Sequence, residues 1–213
     1  MNKNAGHFTI RDLSSQRMGF TLIEVVVVIA VIAIMAAILS PVIAKNIKDA
    51  KVSRAMGDVK VLTAAVGDFF KDLKVWPFLI DGAQPVDVNN HLYLLAGYGQ
   101  DGASSGGTTR DWNRVGGWPA DKIDRMENHL IRNHPPVNSY NADLWHGPYI
   151  AKITADPWGT HYSINVAYLT SYHPEGEVVW VISAGENKTW ETEIAQRNDT
   201  IVIGGDDIVF RVK

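Results

Sequence analysis

The chain of 213 residues contains no cysteine. Disulfide bonds, thiolate metal ligands and a thiol nucleophile are therefore excluded. Positive charge is also in short supply, since the formal net charge is −3, and this balance is not typical of a nucleic-acid-binding protein. No Ser-His-Asp, paired-acid or metal-ligand spacing indicates catalysis. We therefore expect neither a nucleic-acid partner nor an enzyme.

Charge is absent altogether from one long segment near the N-terminus. Residues 25–44 form a run of 20 uncharged residues, and Glu24 stands at its start. As a helix this run spans about 30 Å of hydrocarbon. An ionised carboxylate at membrane depth costs roughly 2.5–3.5 kcal/mol, so Glu24 needs a positive partner. The run is longer than the ~7–15 apolar residues of a secretory signal. A plain uncleaved anchor and a more specialised element both stay open at this point.

The residues around that acid resemble a known processing site. Gly19 and Phe20 begin the sequence GFTLIE, which ends at Glu24 and resembles the prepilin processing motif of the type IV pilin and type II secretion pseudopilin superfamily. The resemblance implies that a prepilin peptidase cleaves between Gly19 and Phe20 and then N-methylates Phe20. Pro41 stands where family members commonly carry a helix-bending proline. The resemblance thus divides the chain into a cleaved leader (1–19) and a transmembrane polymerisation helix (20–44).

Processing would supply the partner that Glu24 needs. The resemblance implies that Glu24 of one subunit pairs with the Phe20 amine of a neighbour when subunits stack into a filament. In a low-dielectric helical bundle, such a pair is favoured over two lone charges. Glu24 would then fix the register of the filament. The alternative is an acid that lies at the membrane interface without a partner.

The remaining residues, 45–213, are expected to form a periplasmic domain behind an anchor in the bacterial inner membrane. The leader carries a net charge of +2 from Lys3, Arg11 and Arg17 against Asp12, which favours a cytoplasmic N-terminus. Apolar residues then recur at helical spacing, so the long helix is predicted to reach Lys74, before Trp76-Pro77.

The rest of the domain is predicted to be α+β. Residues 78–117 are predicted to be rich in loops, with a short apolar element at 92–95 for which a helix is one option. Residues 118–134 are predicted to be a helix. Short strands are predicted at 149–150, 161–169, 177–183, 200–203 and 208–212. The fold class is therefore α+β, with the long N-terminal helix packed on a C-terminal antiparallel sheet, as in pilins.

Two segments of this domain look like the major pseudopilin subfamily of type II secretion. They are WHGPY at 145–149 and DPWGTHY at 156–162. Asp-Pro starts a turn and the aromatic rings fill space beside it, so we expect these residues to be structural. The seven tryptophans could instead form a sugar-binding face, although core packing is favoured. His129 and His134 are five residues apart and poorly suit a zinc site on a helix.

The C-terminal loop resembles one that binds calcium in many members of that subfamily. The resemblance rests on residues 183–187 and 205–208. Asn187, Asp206 and Asp207, with backbone carbonyls, could supply several of the six to eight oxygens that calcium prefers. The alternative is a plain acidic turn. Residues 188–199 depart from the subfamily pattern as a longer, mixed-charge insertion.

The resemblance implies a structural subunit of a type II secretion pseudopilus. The implied partners are other copies of the chain, other pseudopilins, the prepilin peptidase, an inner-membrane assembly platform and membrane lipid. A major or minor subunit of a type IV pilus, used for adhesion, motility or DNA uptake, is the alternative. An anchored enzyme or binding module is a third possibility that no residue pattern supports.

Overall fold

The computed structural model describes residues 19–87, 89–104, 112, 119–170 and 177–213. The predicted leader lies outside these residues, apart from Gly19. The chain divides into two compact units, Met1–Asn46 and Ile47–Lys213. Helix α1, Leu22–Leu73, has Pro41 inside it. It is long and apolar enough to cross a membrane, and none of its most apolar stretch is buried. The prediction of one long N-terminal helix is confirmed.

Helix α1 ends one residue before its predicted end. Lys74 follows with a φ of 59°, a left-handed conformation that stops a helix, and Pro77 lies three residues further on. From Ala55 onward one side of α1 is buried, through Val59, Leu62, Val66 and Phe69. This spacing of three and four residues is the apolar stripe of an amphipathic helix. That stripe belongs to the hydrophobic core of the second unit.

Among the described residues, the main sheet has five strands in the order β3-β1-β4-β5-β7. Strand β1 is Leu94–Ala96, β3 is Ile123–Arg125, β4 is Ser163–Ile164, β5 is Trp180–Ser183 and β7 is Ile208–Arg211. A separate pair joins β2, Ala103–Ser104, to β6, Thr189–Trp190. Helix α1 packed on this sheet gives the predicted α+β, pilin-like layout.

The sheet is mixed, whereas the sequence predicted an antiparallel one. Strands β4, β5 and β7 pair antiparallel as expected, but β1 pairs parallel with β3. The helix predicted over 118–134 is wrong in its first half. A 3-10 turn at Ala120–Lys122 leads into β3, and only Met126–Leu130 forms a helix, α2. Pairing with β1 overrides the helical spacing of the apolar residues in this segment.

Other predicted strands are shorter or absent. The run at 161–169 gives β4 and then a 3-10 turn, Val166–Leu169. The segments 149–150 and 200–203 are not strands. The short element predicted at 92–95 is strand β1 rather than a helix. Strand β5 is buried throughout, which places the core between the sheet and α1.

Candidate functional site

The start of α1 forms a capping box. The Thr21 hydroxyl accepts a hydrogen bond from the Glu24 N–H at 3.3 Å. In return, Glu24 Oε2 accepts bonds from the Thr21 N–H at 2.8 Å and from the Thr21 hydroxyl at 2.9 Å. This reciprocal arrangement satisfies donors that a helix N-terminus otherwise leaves unpaired. Glu24 therefore caps the helix within its own chain, a role that the pattern Thr-x-x-Glu at 21–24 indicates and that the resemblance did not.

The other residues of the predicted processing site lie beside the capping box. Gly19 and Phe20 directly precede α1, and the Phe20 side chain is 88% exposed. Pro41 lies inside the helix, twenty residues after Thr21. The structure thus places Gly19, Phe20 and Glu24 at one helix end and leaves their roles in processing and assembly as predictions.

The segment DPWGTHY forms a turn that the buried Asp156 holds. Asp156 Oδ1 accepts the N–H groups of Trp158 and Thr160 at 3.0 and 2.8 Å. Its second oxygen accepts the Ser183 hydroxyl at 2.6 Å, which ties the turn to β5. Gly159 has a φ of 95°, which favours glycine. The structural role predicted for this segment fits these contacts.

The segment also connects the sheet to α1. The Tyr162 hydroxyl donates to Asp58 Oδ2 at 2.8 Å, and Arg54 Nε lies 3.4 Å from the same oxygen. Arg54 also donates to the Ala155 carbonyl at 3.2 Å. Burial, and then the neighbouring Asp58 carboxylate, raise the pKa of Tyr162. Its hydroxyl therefore stays protonated and remains a donor. We call Arg54, Asp58 and Tyr162 the helix clamp.

The tryptophans contribute mainly to packing. Trp112, Trp180 and Trp190 are 1–5% exposed and belong to the hydrophobic core. Trp112 and Trp190 lie side by side, with ring centroids 6.2 Å apart. Buried rings present no face to a sugar, so these three fit the core-packing interpretation.

The fold brings together one Asp-His-Ser group that the sequence spacing did not predict. His161 Nε2 lies 3.0 Å from Asp101 Oδ1, and its Nδ1 lies 2.9 Å from the Ser163 hydroxyl. Nucleophilic catalysis requires a hydroxyl that a substrate can reach. Ser163 and His161 are both fully buried, so this group links parts of the core in the described structure.

The three predicted calcium ligands lie in two adjacent loops, with Asn187 between β5 and β6 and with Asp206 and Asp207 between β6 and β7. Asp206 Oδ2 accepts the N–H groups of Glu186 and Asn187 at 2.6 and 3.1 Å. Asp207 Oδ2 accepts the N–H groups of Glu191 and Thr192 at 2.9 and 2.6 Å. We call Asn187, Glu191, Asp206 and Asp207 the acidic turn.

Glu191 is a member of this turn that the sequence analysis missed. Its Oε2 accepts the Asn187 side-chain amide at 2.9 Å and the Asp206 N–H at 3.3 Å. Gly205, with a φ of 47°, leaves room for the Glu191 carboxylate, since a Cβ there would overlap it. No local pattern marks Glu191, because the chain fold brings it beside residues that lie about fifteen positions later.

The acidic turn fits a hard cation only in part. Asp207 Oδ1 is buried and has no hydrogen-bond partner, so it offers an unused ligand oxygen. The side-chain oxygen Oδ1 of Asn187, however, already accepts the Thr189 N–H at 2.7 Å. The described residues contain no group of three or more His, Asp or Glu side chains placed to hold a metal. Burial raises the pKa of Asp207 to about 6.

Two comparisons with known proteins agree with the class of protein that the helix start indicates. Residues 17–40 match the family model of the prokaryotic N-terminal methylation motif. Together with the pilin-like layout, this match confirms the resemblance to the superfamily of type IV pilins and pseudopilins. A relative from this class is the type II secretion system core protein G of Pseudomonas aeruginosa, strain PAO1, which is 36% identical over 69 residues.

That similarity covers only part of either protein. The 69 residues are 32% of this chain and 49% of the relative. The chain therefore spans about half the length of the curated relative that it matches. No solved structure matches this one. The comparisons thus support the class of protein that the N-terminal segment indicates, and they do not extend to the function of the whole chain.

Proposed function

We propose that the chain is a structural subunit of the pseudopilus filament of a type II protein secretion system. The observation that carries the proposal is the similarity to core protein G of such a system, joined to a methylation motif that spans the start of α1. In this proposal the chain is anchored in the inner membrane by α1, with its N-terminus cytoplasmic. A prepilin peptidase cleaves between Gly19 and Phe20 and methylates Phe20. The subunits then assemble with copies of themselves and with other pseudopilins.

The proposal also gives the domain its orientation and partners. The second unit, Ile47–Lys213, lies in the periplasm, while an inner-membrane assembly platform and membrane lipid surround the anchor. The work of the subunit is mechanical rather than catalytic, and no nucleic acid takes part. Mass spectrometry of the chain from its own host tests the processing step. The expected mature N-terminus is an N-methylated Phe20, and an intact residue 1 or an unmethylated Phe20 would contradict it.

Two substitutions separate the assembly role of Glu24 from its capping role. Glu24→Gln keeps an acceptor for the capping box, because Gln also occurs there, but removes the charge. Thr21→Val removes the hydroxyl and keeps the charge. An unpaired charge buried in a filament costs about 3–5 kcal/mol, whereas loss of a cap costs about 1 kcal/mol. We therefore expect E24Q to abolish filaments and T21V to retain them, as seen by electron microscopy of cells that express each variant.

The opposite pattern would refute the pairing. Filaments in E24Q and none in T21V would mean that Glu24 acts through the capping box alone. Processing is measured in the same samples, since a variant that the peptidase does not cleave cannot report on assembly. Glu24→Asp provides a matched control, because it preserves the charge on a shorter side chain.

A type IV pilus subunit is the second candidate. It is favoured by the segment between α1 and β4, which adds β1 and β3 to the sheet and makes the domain larger than the resemblance to a major pseudopilin implies. Deletion of the chromosomal copy separates the two candidates. Loss of protein secretion with normal surface pili supports the pseudopilus, and loss of pili with normal secretion supports the pilus.

We further propose that calcium binds at the acidic turn, with Asp206 and Asp207 as ligands and Asn187 turned toward the ion. The partnerless Asp207 Oδ1 supports this, because a buried carboxylate oxygen without a donor is costly unless an ion or another group pairs with it. Glu191 adds a further carboxylate. Calorimetric titration of the full chain with calcium, with magnesium as the control, is expected to give heat that Asp207→Asn removes. No heat and no thermal shift at millimolar calcium would exclude the site.

A further inference from the structure

His129 on α2 is fully buried, and both of its ring nitrogens have partners. Nδ1 lies 2.7 Å from the Tyr140 hydroxyl, and Nε2 lies 3.0 Å from Asp124 Oδ2 on β3. These two hydrogen bonds fix the tautomer of the buried ring. The three residues therefore form a relay across three consecutive segments of the chain.

The surrounding contacts determine which atom donates each proton. The Asp124 carboxylate can only accept, so Nε2 carries the ring proton and donates it to Asp124. In a neutral ring Nδ1 then accepts the Tyr140 hydroxyl proton, while the Tyr140 oxygen accepts the Leu79 N–H at 3.3 Å. The second oxygen of Asp124 accepts the Asn128 side-chain amide at 2.8 Å. A neutral His129 thus satisfies every contact of the relay.

Protonation of His129 would break the hydrogen bond from Tyr140. A proton on Nδ1 would face the Tyr140 hydroxyl, whose own proton would lose its acceptor. Within the described residues, Nδ1 is the acceptor recorded for that hydroxyl. The pKa of His129 lies below its ordinary value because burial lowers it more than the hydrogen bond to Asp124 raises it. The native relay therefore resists proton uptake.

Groups from several elements of the fold lie around His129. Strand β3 contributes the carboxylate of Asp124, and the segment after α2 contributes Tyr140. On α2 itself Glu127 is buried. From helix α1, the Phe69 ring packs edge-on against Tyr140, with centroids 5.0 Å apart. The Trp145 indole also donates to the His129 carbonyl at 3.3 Å. The relay consequently ties residues 123–145 to the core beside α1.

We propose that Asp124, His129 and Tyr140 form an acid-sensitive latch, which releases residues 123–145 from the core when His129 takes up a proton. An opened segment exposes His129 to water, where its pKa is about 6.5. The open state then binds more protons than the closed state, so the latch loses stability as the pH falls below about 6.5. One proton changes the opening equilibrium by about tenfold per pH unit in this range.

Hydrogen exchange of the full chain in detergent micelles measures this opening. Exchange is followed by mass spectrometry between pH 7.5 and pH 5 and is corrected for the pH dependence of intrinsic amide exchange. Peptides from residues 123–145 are expected to open about tenfold more per pH unit below about 6.5. Peptides that cover β5 and β7 serve as the internal reference and are expected to change much less.

Two variants identify His129 as the proton acceptor. His129→Gln cannot titrate, so its opening is expected to be independent of pH after the same correction. His146→Gln is the matched control. His146 is exposed and lies 3.4 Å from Asp72, and this variant is expected to keep the full slope. A flat profile in the unmodified chain, or the same slope in H129Q, would overturn the proposal.

Proton NMR titration of the His129 ring decides the question if H129Q does not fold at pH 7.5. The expected result is a ring that stays neutral below pH 6.5 for as long as residues 123–145 remain closed. Titration at or above pH 6.5 in the closed state would overturn the latch. This measurement needs no substitution at the relay.

Discussion

Replacement of Tyr162 by Phe tests how the sheet is held to α1. Tyr162 is 1% exposed, and its hydroxyl reaches Asp58, which lies 104 residues earlier in the chain, at 2.8 Å. Phe keeps the ring and removes only the hydroxyl. The substitution therefore isolates one bond of the helix clamp, the group of Arg54, Asp58 and Tyr162.

The expected loss follows from the environment of both partners. A hydrogen bond to a charged group contributes about 1.5–3 kcal/mol. Asp58 keeps Arg54 as a partner and is partly exposed, so the carboxylate that remains is not stranded. We therefore expect Y162F to lose about 1.5–2 kcal/mol. At about 2–4 °C per kcal/mol for a domain of this size, the melting temperature should fall by about 3–8 °C.

Thermal unfolding of the full chain in micelles, followed by near-ultraviolet circular dichroism, gives the measurement. Tyr98→Phe is the matched control, because Tyr98 is 48% exposed and the substitution keeps its ring beside Arg125. A double-mutant cycle with Asp58→Asn should show a coupling energy of at least about 0.5 kcal/mol, as contacting residues do. Equal shifts in Y162F and Y98F, with no coupling to Asp58, would refute the clamp.

Three further substitutions test single positions of the chain. Asp156→Ala removes the acceptor of two turn N–H groups and of the Ser183 hydroxyl. The free energy of unfolding in urea titrations should therefore fall by at least about 3 kcal/mol, and a loss below about 1 kcal/mol would contradict the role of Asp156. Gly57→Ala should raise the stability by about 0.5–1 kcal/mol, because Gly57 lies inside a helix with open space around it. Gly159→Ala should lower it by more than about 1 kcal/mol because of its positive φ, and shifts of the same sign would contradict the argument.

The long helix could be predicted because two independent signals agree along it. The uncharged run requires a helix in a membrane, and the amphipathic stripe from Ala55 to Leu73 continues the same period. Gly57 and Gly67 also lie within this helix. The structure leaves the space around both of them open, so no contact among the described residues explains them.

The middle of the domain could not be predicted in the same way. Ile123 and Met126 have helical spacing, yet Ile123 pairs with Leu94 in a parallel ladder. A three-residue strand carries almost no periodic signal, and its partner lies about thirty positions away. The same limit applies to the relay of Asp124, His129 and Tyr140. The spacing of His129 and His134 argued against a zinc site but could not reveal the partners of His129.

In the acidic turn, the grouping of the residues could be predicted, but their hydrogen-bond partners could not. The structure brings Asn187, Asp206 and Asp207 together, as the resemblance implied, but gives each of them backbone N–H groups or side chains as partners. An acid that already accepts two N–H groups gains less from an ion than a free carboxylate does. Calcium would therefore act mainly through Asp207 Oδ1, the oxygen without a donor, which is why Asp207→Asn is the sharper test of the site.

The capping box changes how the charge of Glu24 must be understood. A lone carboxylate at membrane depth would drive assembly with the whole cost of its isolation. In this chain, however, Glu24 already accepts the Thr21 N–H and hydroxyl. In the proposed filament, pairing with the Phe20 amine of a neighbour would then contribute only the difference between that pair and the cap. An assembly contact that exchanges one partner for another can select register while remaining reversible, and T21V, which weakens the competing cap, should make filaments harder to dissociate rather than fewer.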